Sequence, residues 1–452
     1  MLLKYTKTTL LLFLLLPMQL VQANEVVSLT QAINQAQQND PWLQGNKFQQ
    51  QSLQAQSIAA GSLPDPNVSI GLMNMPMDSW DFNQEAMTQM KVGVTQMLPR
   101  GDSLAIQQAQ LQTQAAQMPL LRQDRNAKMQ SIVSQLWLDA YLAQKSIKLI
   151  NKDKALFVQM VDIAKANYAS ALGKTRQQDV IRAQLELIQL DDRLFAEQQK
   201  QESALAKLNQ WLQPNYAAQA HSSQPLSPSS ALSVSEELPN IVLPTIISAT
   251  NSSKSSHQLL QQVSHHPLIQ SIELKYQAAT QGVELAKQKY KPQWGVNASY
   301  AYRGDADNGM NRSDFFSIGL SFDVPLFTKN KQDKQVEASF AQAEVIKTEK
   351  LLLLRNMLAQ IDNEQRQLQR LSDRQSLYAE QLLDQIHEQA EASLTAYTND
   401  DGDFSEVVRA RIAELNARIS ALQIDIDVLK TSARLNYYLV GTSATTLENV
   451  GE

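Results

Sequence analysis

Residues 293–327, QWGVNASYAYRG … DFFSIGLSFDVPLF, alternate apolar and polar side chains through two consecutive segments. Trp294, Val296, Ala298, Tyr300 and Tyr302 share one parity; Gln293, Gly295, Asn297, Ser299 and Arg303 take the other. The returning segment sets Phe316, Ile318, Leu320, Phe322 and Val324 against Ser317, Gly319, Ser321 and Asp323. A period of two marks a strand with one apolar face. Exposed to water, that face is unfavourable, so it needs a cover. The flanking sequence, rich in Gln, Ala and Leu, reads as long helix.

The hairpin has a counterpart in the first half of the chain. A shift of 226 residues carries Pro41 onto Pro267, Gln44 onto Gln270, Pro66 onto Pro292, Gly93 onto Gly319 and Pro99 onto Pro325. At a shift of 227, DVIRAQLEL (Asp179 to Leu187) meets EVVRARIAEL (Glu406 to Leu415). An internal repeat is expected, each unit reading helix, strand, strand, long helix, turn, long helix. The first spans residues 24–212, with strands near 67–77 and 87–98 and a helical tip near 169–179. The second spans 259–441, with strands near 293–303 and 315–325 and a tip near 397–406. Pro66, Pro99, Pro292 and Pro325 bracket the strands, where proline is tolerated. Residues 213–258, rich in Ser and Pro, read as a linker or equatorial segment, and 442–452 as a tail.

From Arg100 to Tyr168 the only proline is Pro119, so one helix of roughly 100 Å is expected at ~1.5 Å per residue. Ile412, Leu415, Ile419, Leu422, Ile426, Leu429 and Ala433 step by three and four, a narrow heptad seam for packing on another helix. The pattern fits a thin helical wall better than a thick core.

Residues 1–23 are expected to be a secretory signal: Lys4 and Lys7 precede an apolar run, Leu10 to Leu16, and Val21-Gln22-Ala23 suits cleavage. No later stretch has the length of apolar residues that a membrane-spanning helix requires. The chain has no cysteine, which excludes disulfides, thiol nucleophiles, Cys-zinc sites and a lipidated cysteine. A net charge of −5 gives no electrostatic footprint for nucleic acid.

Four strands of this length and patterning match transmembrane β-strands. Four cannot close a barrel, and an open edge is not tolerated in lipid, so several copies must share one. Three would give 12 strands with Asn297, Ser299, Ser317 and Ser321 toward the lumen and Trp294, Tyr300 and Tyr302 at the lipid interfaces. The competing reading packs the sheet on the chain's own helices. The element order, the duplication and the segments LPDPNVSIGL, MKVGVTQMLPRGDS and VPLFTKNKQ resemble the TolC-like outer-membrane efflux channel family, over nearly the whole mature chain. MTQMKVGVTQMLPRGDS looks most like the heavy-metal efflux branch, many members of which carry the lipidated cysteine absent here.

That resemblance implies a mainly α chain whose long coiled-coil helices form a trimeric α-barrel tunnel, plus four strands per chain in a 12-stranded outer-membrane β-barrel. It implies a homotrimer in the outer membrane of a Gram-negative bacterium with a large periplasmic portion. Its partners would be outer-membrane lipid, a periplasmic adaptor (membrane fusion) protein and an inner-membrane efflux pump. The rival class is a periplasmic coiled-coil adaptor or scaffold without a pore of its own.

Candidate site residues cluster at the two helical tips. Lys174 and Arg176 precede Asp179 in the first; Tyr397, Asp400, Asp401, Asp403, Glu406 and Arg409 mark the second. Alternating around a ring, basic and acidic tips would fall within salt-bridge range, and Asp179 and Glu406 match the family's constricting carboxylates. Met73, Met75 and Met77 recur at strand spacing and form a weak candidate for a soft ion such as Cu(I); flexible apolar filler is the plainer role. His265-His266 before Pro267 reads as a helix cap. GDADNG (Gly304 to Gly309) lacks the closing glutamate of a calcium loop and reads as hairpin loop. No enzyme motif stands out, and no enzymatic activity or cofactor is expected.

Overall fold

A computed structural model describes residues 25–169, 176–213, 232–243, 253–399 and 402–440. The first repeat contains β1 (Glu25–Val27), α1 (Leu29–Asn39), α2 (Pro41–Ala60), β2 (Asn67–Met73), β3 (Gln89–Met97), α3 (Ser103–Ala169) and α4 (Gln177–Leu212). After β4 (Leu232–Val234) the second contains α5 (Ser253–Ser264), α6 (Pro267–Lys287), β5 (Trp294–Tyr302) and β6 (Phe315–Phe322). It continues with α7 (Gln332–Leu377), a π-helical turn at Tyr378–Leu382, α8 (Leu383–Thr398) and α9 (Phe404–Tyr438). The single helix α3 has 67 residues. Its counterpart, Gln332–Thr398, has the same length but is interrupted by the π turn.

The repeat is visible in its helix caps. Pro41 and Pro267 sit in the first turns of α2 and α6, a position pre-set by proline's fixed φ. The preceding residues cap them: Asp40 Oδ1 accepts from Trp42 N at 3.1 Å and His266 Nδ1 from Leu268 N at 3.2 Å. Asp40 also takes the guanidinium of Arg125 at 2.7 Å. His266 is fully buried, and its Nε2–H donates to the Tyr437 carbonyl at 3.0 Å. With Nδ1 accepting, the ring is neutral, and burial holds its pKa below the ordinary value against the pull of that carbonyl and of Asp124.

β2, β3, β5 and β6 form one antiparallel sheet in that order, so the repeats join at β3–β5. Each strand runs into a helix: β2 follows α2, β3 leads to α3, β5 follows α6 and β6 leads to α7. Those helices pack in the same order, α2 on α3, α3 on α6 and α6 on α7. At the junction Arg100 reaches from the foot of β3 to both carboxylate oxygens of Asp323 at the foot of β6, and to the Lys291 carbonyl at 2.9 Å. Gly101, at φ +49°, turns the chain into α3; a Cβ there would lie 2.3 Å from Lys291 Cδ.

β2 is shorter than its alternation suggests. Asn74 takes φ 55°, which ends the extended run at Met73. Asn74 then closes the hairpin loop, donating to the Met87 carbonyl at 3.0 Å and accepting from Thr88 Oγ1 at 2.9 Å. Met75 and Met77 therefore lie in the loop, beyond the strand whose spacing they follow.

Beyond the junction the order becomes α4, α3, α9, α8. The seam on α9 faces α3 and α4: Leu415 packs with Ile150, Phe157 and Leu190, and Ile426 with Trp137. A second stripe, offset by two residues, runs Val407, Ala410, Glu414, Ala417, Ala421, Ile424, Val428, Thr431 and Leu435. Its Glu414 meets α8 and its Leu435 packs on α7. α9 is thus gripped on two sides. Ala410, Glu414, Ala417, Ala421 and Thr431 interrupt the larger apolar residues of this second stripe, which is why the sequence shows only a narrow seam.

At mid-height the described part of 213–258 adds β4, paired in parallel with β1. Trp137 lies beneath β1, fully buried, stacked on Tyr141 and donating from Nε1 to the Val27 carbonyl at 2.9 Å.

Two outcomes follow. Trp137→Ala lowers unfolding stability by about 3–5 kcal/mol, and Trp137→Phe by about 0.5–1.5 kcal/mol, the worth of one hydrogen bond, since the Val27 carbonyl keeps its second donor, Ser235 N, at 3.2 Å; urea melts of the helical circular dichroism measure both. Because the fold favours neutral His266, stability is lost as pH falls from the ordinary histidine value of about 6.5 toward the lower folded value. His266→Asn keeps a capping acceptor and is expected to flatten the thermal midpoint between pH 7 and pH 5, where the parent protein declines.

Candidate functional site

The even parity of the sheet carries Val68, Ile70 and Leu72 on β2, Met90, Val92 and Val94 on β3, and their counterparts on β5 and β6. Paired across the register, Ile70 with Val92 and Tyr300 with Phe316, they make one continuous apolar face. No described part of the chain covers it: Ile70, Phe316 and Ile318 are 73–74% exposed. The reading in which the sheet packs on its own helices is thereby overturned. β2 and β6 form the two edges, each without a partner on its outer side among the described residues.

The opposite face is polar and small. One glycine per strand, Gly71, Gly93, Gly295 and Gly319, falls on it. Side chains of neighbouring strands lean over three of them: a Cβ on Gly93 would approach Ser69 Oγ at 2.9 Å, on Gly295 Ser321 Oγ at 2.7 Å, and on Gly319 Asn297 Oδ1 at 2.6 Å. These glycines make room for a polar, crowded face.

The two hairpin loops brace each other. Arg312 Nη1 donates to the carbonyls of Asn83 and Glu85 at 3.1 Å, and Arg303 Nη1 to that of Ala86 at 3.3 Å. Arg303 also lies 3.9 Å over the Phe315 ring, and Phe82 stacks on Tyr302. GDADNG forms part of this cap, turned at Gly309 with φ 75°.

At the other end, Lys174, Asp400 and Asp401 lie outside the described residues. Asp179 is buried and its Oδ2 accepts from Arg176 N at 2.9 Å, so it caps α4. Asp403 caps α9 through Ser405 N at 3.1 Å. Tyr397 lies edge-on to buried Phe404, 5.5 Å between centroids, and Gly402 lets the turn press against the end of α8, where a Cβ would lie 2.7 Å from Tyr397 N. Glu406 and Arg409 are exposed, with no ion pair among the described residues. The two tips are neighbours, since Val161 and Ala183 share a core with Phe404 and Val408.

Above the tips lies a charged node that sequence reading missed. Glu414, 4% exposed, accepts from His387 Nδ1 at 2.7 Å, Arg411 at 2.9 Å and Arg418. Burial raises its carboxyl, and these bonds and charges outweigh it, leaving the pKa below the usual range. Asp153 of α3, also buried, is pushed up by desolvation against the attraction of Arg418. The node thus brings α3, α8 and α9 together. Only Glu414's place on the second heptad stripe of α9 could have signalled it.

Among the described residues no group of His, Cys, Asp or Glu could hold a metal ion, and no helix is long and apolar enough to cross a membrane. No family model and no curated protein matches the sequence. Solved structures do match. The outer membrane protein VceC from Vibrio cholerae is 15% identical, over 91% of this chain and 95% of its own, with a TM-score of 0.70. The CmeC outer membrane channel of Campylobacter jejuni is 12% identical over 93% and 88%, with a TM-score of 0.70. The Neisseria gonorrhoeae MtrE outer membrane channel in its open state is 13% identical over 91% and 88%, with a TM-score of 0.67. A mainly helical chain with long helices and a four-stranded sheet, the protein has the fold of these outer-membrane channels.

Proposed function

We propose that the protein is the outer-membrane channel of a tripartite efflux system, a passive exit duct for small molecules or metal ions. The observation that carries this reading is the uncovered apolar face of an open four-stranded sheet, mounted end to end on helices of roughly 100 Å. β6 of one copy can pair antiparallel with β2 of the next, and three copies supply 12 strands. Lipid of the outer membrane then meets the apolar face and water the polar one. The helices continue the pore through the periplasm toward an adaptor and an inner-membrane pump, which supplies the energy. Likeness to a channel captured in an open state supports a gate.

The gate of this reading lies at the tips, where three-fold repetition gathers Arg176, Asp179, Tyr397, Asp403, Glu406 and Arg409 with Lys174, Asp400 and Asp401 into a ring. Each exposed ion pair contributes only about 0–1 kcal/mol, so the closed state would rest on their repetition. A periplasmic adaptor or scaffold of the same fold is the competing reading, and the free sheet disfavours it.

Fractionation separates the two: a detergent-resistant trimer in the outer membrane supports the channel, and recovery in soluble or inner-membrane fractions supports the scaffold. In planar bilayers the trimer is expected to conduct poorly and with cation preference. Asp179→Asn, which keeps shape and a capping acceptor, and the isosteric Glu406→Gln are expected to raise conductance at least about two-fold and lower cation selectivity, each unit of lost ring charge being repeated by symmetry. Parental conductance and selectivity in both variants would overturn the gate.

A further inference from the structure

Where strands give way to helices, the apolar parity of β6 continues below the sheet. Phe322 and Val324 are each 56% exposed, Leu326 is 73% and the neighbouring Phe327 90%. Lysines surround this apolar lip. Lys287, Lys291 and Lys334 are paired with Glu284, Asp102 and Glu337. Lys289, Lys329 and Lys331 are exposed and form no ion pair among the described residues.

Beside the lip is a cavity of about 880 Å³, walled by Leu98, Leu285, Leu326 and Phe327 together with Lys289 and Lys331. That volume lies within the range of small-molecule sites. Arg100 and Asp323 also face it but neutralise each other through their bidentate pair, so the two lysines leave the cavity cationic. Gln332 and Gln335 line it too, and the Oε1 of each is shielded from water without a hydrogen-bond partner among the described residues. The combination is an apolar lip, unneutralised ammonium groups and spare acceptors.

We propose that this cavity, with Lys289, Lys329 and Lys331, binds the headgroup of an anionic glycerophospholipid in the leaflet on the helical side of the membrane. The inference rests on the reading that the sheet spans a bilayer. Continuity with the apolar face places Leu326 and Phe327 at the level of the acyl–headgroup boundary. Lysine stems lie along apolar surface while their ammonium groups reach phosphate. The headgroup's hydroxyls supply donors for Gln332 and Gln335. A second copy of the chain would satisfy the apolar lip but not three unpaired cations.

The test uses the full-length oligomer in nanodiscs of equal phosphatidylglycerol and phosphatidylcholine, after flotation with vesicles of the same mixture. Lipid retained on extraction is identified by native mass spectrometry. The parent protein is expected to float and to retain phosphatidylglycerol preferentially. Replacing Lys289, Lys329 and Lys331 by Gln is expected to lower that preference about five-fold per lysine, whereas Lys→Arg at the same positions, which keeps the charge, preserves it. A parent protein that floats but retains both lipids equally overturns this inference alone. So does a triple Gln variant with the parental preference. A protein that does not float overturns both this inference and the membrane reading beneath it.

Discussion

Two strand edges without a partner among the described residues, beside an apolar face that none of those residues covers, form the constraint on which the molecule depends. In water the face is costly, and in lipid the edges are. Neither cost can be removed within one chain, because the four strands are fixed in a single open sheet by the β3–β5 pairing of the two repeats. Copies joined edge to edge remove both at once, and the alternating strand directions let β6 meet β2 without reversing the antiparallel pattern. The duplication itself supplies an even number of strands, which that closure needs.

The helices inherit the geometry of the sheet. Each strand is continuous with one helix, so the spacing of four strands is handed to four helices, with Arg100 and Asp323 tying the feet of β3 and β6 across β5. Further down, α9 carries two heptad stripes rather than one, and a helix gripped on two sides is the unit of a curved wall, not of a solid bundle. Trp137 with β1 and β4 thickens the wall at mid-height, and Glu414 with its three donors pins α8 and α9 to each other near the lower end.

Much of this is legible in the residues because the signals are periodic. Strand parity, the proline brackets and the 226-residue shift all survive at low identity, and they place both hairpins and both helical tips. What escaped is carried by residues without a hydrophobic or charge period. The second stripe on α9 mixes Val407, Ile424, Val428 and Leu435 with Ala410, Glu414, Ala417, Ala421 and Thr431, and those small and polar members look like surface. Met75 and Met77 follow strand spacing in the sequence, yet a single left-handed residue, Asn74, takes them out of the strand. Asp179 and Asp403 read as free tip charges, and the fold uses both as helix caps. His266, by contrast, was readable as a cap from its place before Pro267, although its burial against Tyr437 was not.

The central claim is that β6 of one copy pairs with β2 of the next. The chain has no cysteine, so cysteines placed on the two edges report that pairing directly. Ser69→Cys on β2 combined in turn with Ser317→Cys and Ser321→Cys on β6 samples neighbouring registers on the polar face. Oxidation of the membrane-embedded protein followed by a non-reducing gel is expected to give covalent trimers in at least one combination, and none with either cysteine alone. Chains that stay monomeric in every register, or that stop at dimers, would contradict the closure from which the rest of the account is built.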